Sequence, residues 1–168
     1  MDKLEYKINE VAFNIAQILD KNEINKLLGV LANDGVYAMW VYALDKLDWE
    51  FKDDAQKMKE QELFKFLGEI SKLTEYLGND NLKLDLELLL NELAEYTENI
   101  ENIKNEIKKS KNKEKENRLK EKIKERNEKL NKFFIDLSND IDNLLFFKEI
   151  LERVLILARY HAKALGDD

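Results

Sequence analysis

LELLLNELAEYTENIENIKNEIKKSKNKEKENRLKEKIKERNEKLNKFFIDL, residues 86–137, decides the fold. Its apolar residues fall at heptad spacing: Leu86, Leu90, Leu93, Tyr96 or Thr97, Ile100, Ile103 and Ile107. The pattern stops at Ser110-Lys111-Asn112-Lys113 and resumes with Leu119, Ile123, Leu130, Phe134 and Leu137, then Ile141 and Leu144. Two heptad stretches around a polar turn predict an antiparallel coiled-coil hairpin. At 1.5 Å per residue each arm reaches about 40 Å, and its outer half is expected to project beyond the core.

Outward from this hairpin, every other segment also reads as helix. Leu4, Ile8, Val11, Ala12, Ile15, Ile18 and Leu19 make a first amphipathic helix. Asn22 is the expected cap of a second, built on Ile24, Leu27, Leu28 and Leu31. Asn33-Asp34-Gly35 breaks the chain, with Asp34 the expected cap of a third helix. That helix, Gly35 to about Leu47, opens with GVYAMWVYAL (35–44), which is apolar on nearly every side and is expected to be buried all round.

A fourth helix is predicted from Asp53-Asp54 to Leu77, closed by Gly78 as a left-handed cap. Ser138-Asn139-Asp140 kinks or restarts the chain before a last helix from about Phe147 to Leu165. On that helix Ile156 falls among polar residues, which points to a neighbour on that side. No segment alternates at period two. The expected fold is all-α: one compact helical bundle domain over 1–168, with residues 95–132 as a basic coiled-coil hairpin arm.

Composition agrees with this. Proline is absent and glycine occurs five times, which permits long helices because proline costs about 3 kcal/mol in a helix interior. With 44% hydrophobic and 38% charged residues the chain is neither disordered nor membrane-like. The start MDKLEYKINE lacks the basic and apolar parts of a signal peptide, and no apolar run nears the roughly 20 residues of a membrane span. A cytoplasmic location without membrane contact is the expectation.

Charge reverses within the hairpin. Residues 104–132 carry thirteen Lys/Arg against six Glu, a balance of +7, in a chain whose net charge is −7. The basic tip, with Lys108, Lys109, Lys111, Lys113, Lys115 and Arg118, is a handle for a polyanion or an acidic partner. A solvated helix surface whose lysines serve only solubility is the plainer alternative.

Chemistry is sparse. There is no cysteine, one histidine (His161), three serines and two threonines. His161 lies on an apolar stripe and reads as a packed histidine, and no Glu-x-x-His repeat of a bundle metal site occurs. LGVLANDG lacks the spacing and lysine of a phosphate loop. Tyr37, Trp40 and Tyr42 suggest a base-stacking platform, but their apolar surroundings read as core. The expectation is no enzyme, no cofactor and no metal.

Two segments resemble a known family. DGVYAMWVYALDK (34–46), a Gly step opening a very apolar helix that ends in lysine, is similar to a segment of the small helical subunits of type III CRISPR effector complexes, the Cmr/Csm small-subunit family. KEILERVLILARYHAKALG (148–166), with its Arg159-Tyr160 pair after an apolar stretch, resembles the last helix of the same subunits. Together they cover about a fifth of the chain.

The resemblance implies a non-catalytic, RNA-binding subunit of an antiviral ribonucleoprotein. It implies contacts with the other subunits and with guide RNA and target RNA, and self-association along the complex. The RNA-binding counterparts it implies are Lys148, Arg153, Arg159 and Lys163. The alternative from another class is a coiled-coil protein-protein adaptor or assembly factor without nucleic-acid binding.

Overall fold

A computed structural model describes residues 3–166. Among them lie eight α-helices and no strand: α1 (Lys3–Ile18), α2 (Lys21–Asp34), α3 (Val36–Lys46), α4 (Ala55–Lys59), α5 (Glu62–Ser71), α6 (Leu86–Lys109), α7 (Lys113–Ser138) and α8 (Ile141–Leu165). A 3-10 turn covers Thr74–Tyr76. The all-α expectation holds. By internal contacts the chain forms two units, 1–49 with 61–84 and 133–168, and 50–60 with 85–132.

The first unit is built on α8. Its buried stripe, Phe147, Ile150, Leu151, Val154, Leu155 and Ala158, packs on α1 and α2. Helix α1 runs parallel to it, since Glu5 pairs with Arg153 at one end and Phe13 meets His161 edge-on at 5.6 Å further along. Helix α2 runs antiparallel, with Lys148 reaching the Ala32 carbonyl near one end and Asp20–Asn22 lying beside Ala162–Gly166 at the other. Trp40 of α3 is fully buried and stacks on Phe134 at 4.5 Å, and Phe133 joins Phe134 and Phe147 edge-on.

Helix boundaries differ from the sequence reading where capping chemistry had competitors. The cap of α2 is Asp20, not Asn22, because Asp20 and Glu23 form a reciprocal capping box with each other's backbone N–H groups. Helix α2 continues through Asp34, and the break falls at Gly35, whose φ of 98° suits a residue without Cβ. Gly78 has no positive φ; its N–H donates to the Asn143 side chain at 2.9 Å instead. The single fourth helix is three pieces, α4, α5 and the 3-10 turn. Asp54 caps α4, while Leu63 and Glu62 bond back to Asp48 and fix a separate start for α5.

Helix α3 is not buried all round. Val36, Met39, Trp40 and Ala43 are inside, but Tyr37 and Val41 are 41% and 45% exposed. An apolar run of nine residues, Val36–Leu44, on a helix still has one outward face unless another element covers it. The last helix also starts earlier than expected, at Ile141, because Asp140 caps it by accepting the Asn143 N–H.

Asp140 additionally accepts hydrogen bonds from the side-chain amides of Asn143 at 2.8 Å and Asn79 at 3.3 Å. The Asn143 side chain, then Asn79, then the Asn143 N–H hold its carboxyl below the usual carboxylate range. A lowered native pKa means that ionised Asp140 favours folding, and that contribution fades as pH falls through the native value. Asp140→Ala is therefore expected to melt below the wild type at neutral pH. The gap should narrow below about pH 4, as unfolded and then native carboxyls take up protons. Parallel thermal melts across pH check this; a constant gap would show that Asp140 acts only by helix geometry.

Candidate interaction surfaces

Within the second unit three side-chain contacts link α6 and α7. Glu92 meets Lys129 at 3.7 Å, Thr97 meets Arg126 at 3.3 Å, and Glu106 meets Arg118 at 3.1 Å, so the two helices run antiparallel. Of the residues expected in a heptad seam, Leu90, Leu93, Thr97, Ile100 and Ile103 of α6 and Leu130 of α7 are buried. Leu86 and Ile107, expected in the same seam, are only partly covered. Helix α4 packs on α6, joined by the Lys59–Glu87 ion pair.

The charge pattern has a local structural account. Residues 85–103 hold six acids and no base, so the basic α7 lies against an acidic half of α6. At the turn, Lys108 and Lys109 occupy the last turn of α6, and Glu114 and Glu116 the first turn of α7. Lys108 and Lys109 complement the dipole of α6, whereas Lys113 and Lys115 offset Glu114 and Glu116 in the first turn of α7. Asn112 accepts the Lys115 N–H, Lys115 reaches the Ser110 carbonyl, and Lys111 pairs with Glu116.

Of the six basic residues singled out at the turn, Lys111 and Arg118 thus have carboxylate partners. Lys108, Lys109 and Lys113 have none among the described residues.

Arg126 went unnoticed in the sequence. It fills the heptad position between Ile123 and Leu130, and that gap in the apolar spacing was its signal. Its guanidinium lies 3.7 Å from the centre of the Phe51 ring, one nitrogen bonds Thr97, and Nε is buried without a partner. Burial pushes its pKa down. A cation stacked on an aromatic ring and bonded to the Thr97 hydroxyl ties α7 to α6 and to the Phe51 segment at one point.

The four basic residues of α8 do not form one patch. Lys148 pairs with Glu152 at 3.6 Å, and Arg153 pairs with Glu5. The Arg159 guanidinium lies 5.5 Å from the Tyr160 ring with its Nε buried and unpartnered. Lys163 is exposed and lacks an ion pair among the described residues. His161 is half-buried against Phe13. Among the described residues no group of three His, Asp or Glu side chains is placed to hold a metal ion. No helix there is long and apolar enough to cross a membrane.

No family model matches this chain, and no curated protein or solved structure matches it. The attributes CRISPR, antiviral defence, RNA-binding and ribonucleoprotein are corrected on that finding, since none of the three comparisons supports them. A Gly step before an apolar helix and an Arg-Tyr pair near a helix end recur wherever helices pack. The class that stands is an all-α helical bundle.

Proposed function

We infer that this chain is a non-catalytic helical adaptor or assembly factor that binds protein rather than nucleic acid. In this reading residues 95–132 form an antiparallel coiled-coil hairpin that serves as an arm. The observation that carries it is the paired helix end at Ser110–Asn112, where Lys108, Lys109 and Lys113 stand without carboxylate partners beside a structured turn. Exposed cations without carboxylate partners, on a turn whose backbone is already capped, are free to meet an acidic protein surface.

Two further features support protein over RNA. Two of the four α8 cations are already neutralised by Glu5 and Glu152, and the net charge of −7 repels a polyanion. The large side chains exposed on helices, such as Tyr37 and Val41, are apolar surface that a protein partner covers well.

The test is affinity purification from native cells with and without ribonuclease, beside a variant with Lys108, Lys109, Lys111, Lys113 and Lys115 changed to Gln. A partner protein should survive ribonuclease treatment and be depleted in the variant. Loss of every partner on ribonuclease treatment would overturn the reading in favour of RNA.

A further inference from the structure

The turn between α6 and α7 carries a hydroxyl that the fold does not use. The other serine and threonine hydroxyls are tied to the backbone. Ser71 donates to the Gly68 carbonyl at 2.6 Å, Thr74 to Ser71 at 2.8 Å, Thr97 to Leu93 at 2.7 Å and Ser138 to Phe134 at 2.8 Å. Ser110 is exposed, and its hydroxyl has no partner among the described residues. Its backbone, by contrast, is engaged. The Ser110 N–H donates to the Glu106 carbonyl, and its own carbonyl accepts Lys115 Nζ at 3.4 Å.

The residues on either side are basic. Residues 108–115 read KKSKNKEK, five lysines against Glu114, a balance of +4. Ser110 itself is extended, with φ −153° and ψ 98°, where α6 gives way to the turn. Lys108 and Lys109 occupy the last turn of α6, and a terminal helical turn opens at little cost. An extended serine preceded by two lysines and followed by Lys111 suits the acidic substrate cleft of a serine kinase. There the lysines meet carboxylates while the free hydroxyl reaches the γ-phosphate of ATP.

We propose that Ser110 is a phosphorylation site that switches off binding at this turn. In the transfer the Ser110 oxygen bonds the γ-phosphorus of ATP, and the bond from that phosphorus to the ADP oxygen breaks. The hydroxyl proton passes to the kinase's catalytic carboxylate. Phosphoserine carries about −1.5 to −2 at neutral pH, so the local balance falls from +4 to roughly +2. At the carbonyl end of α6 the phosphate has no helix dipole to hold it, so the lysines take it. Lys108, Lys109 and Lys113, which have no carboxylate partner, then gain an anion of their own. An acidic protein surface has to compete with that anion. This regulation rests on the turn being the handle for an acidic partner.

The modification is read by mass. Full-length protein incubated with ATP and a kinase that selects basic sequences should gain one phosphate, mapped by fragment masses to Ser110. Ser110→Ala should gain none, and Ser110→Thr should restore it, because the hydroxyl is what the transfer needs. Changing Lys108 and Lys109 to Glu should slow the transfer roughly tenfold or more. Protein purified from native cells should carry the same phosphate on a fraction of its copies. Phosphate at Ser71 or Ser138 in place of Ser110 overturns the site, and so does its absence from Ser110 in protein from native cells.

The switch is read separately, on immobilised poly-glutamate. The phosphorylated full chain should bind roughly tenfold more weakly than the unmodified chain, the worth of a few exposed ion pairs, and phosphatase should restore binding. Equal binding by the two forms overturns the switch. Binding that the variant with Lys108, Lys109, Lys111, Lys113 and Lys115 changed to Gln leaves unchanged overturns the handle and the switch with it. The mass measurement still decides the modification in that case.

Discussion

Replacing Trp40 by alanine is expected to cost about 3–5 kcal/mol, the range for truncating a fully buried large aromatic. Trp40 has no exposed surface, lies stacked on Phe134 and shares α3 with buried Val36, Met39 and Ala43. Close-packed helices cannot collapse into the vacated space without breaking their own hydrogen bonds, so most of the cavity remains. In a chain of this length each kcal/mol moves the melting temperature by roughly 2–4 °C, so a fall of about 10 °C is expected. Tyr37→Ala, three residues earlier on the exposed side of the same helix, is the control and should shift the melt far less. Equal effects at both positions would show that α3 is buried differently.

Leu93→Ala is expected to cost about 2–5 kcal/mol and to loosen the α6–α7 pair. Leu93 is fully buried, between Leu90 and Thr97 in the heptad series. Hydrogen exchange is the sharper measurement, because it reports the opening of particular helices. Amides of α6 and α7 within 85–132 should lose protection strongly. Leu88→Ala, on the exposed side of α6, should leave them nearly as in the wild type. Unchanged exchange in Leu93→Ala would mean that the seam does not hold these helices together.

The heptads at Leu90, Leu93, Thr97, Ile100 and Ile103 were readable because helical burial repeats with the chain's own period. Helix ends were readable only coarsely. Asp20 and Asn22 are both good caps, and only the backbone geometry with Glu23 shows that Asp20 closes the box. Asp54 and Gln61 each begin a helix within one periodic segment, because Asp48, bonded to Glu62 fourteen residues on and to Leu63 beside it, fixes the start of α5.

The candidate surfaces divide in the same way. The basic run around Lys108–Lys115 could be counted from the sequence. Which of its cations are neutralised depends on the antiparallel pairing that brings Glu106 to Arg118. The α8 cations looked equivalent as a string, yet Glu5, 148 residues away, neutralises Arg153 and nothing described neutralises Lys163. Ile156 among polar residues was a visible sign of an outward apolar face, but its companions Ile141 and Leu145 lay in a segment assigned to the preceding helix.

The sequence by itself determined the all-α class, the helical periodicities and the position of the charge reversal. These depend on residues within a turn or two of each other, through propensity and the 3.6-residue repeat. Only the tertiary structure decided which sides of α3 and α8 are covered, which caps are used, and where Arg126 finds its ring and hydroxyl. Those outcomes depend on which helices lie side by side, and contacts between distant segments leave no period in the chain.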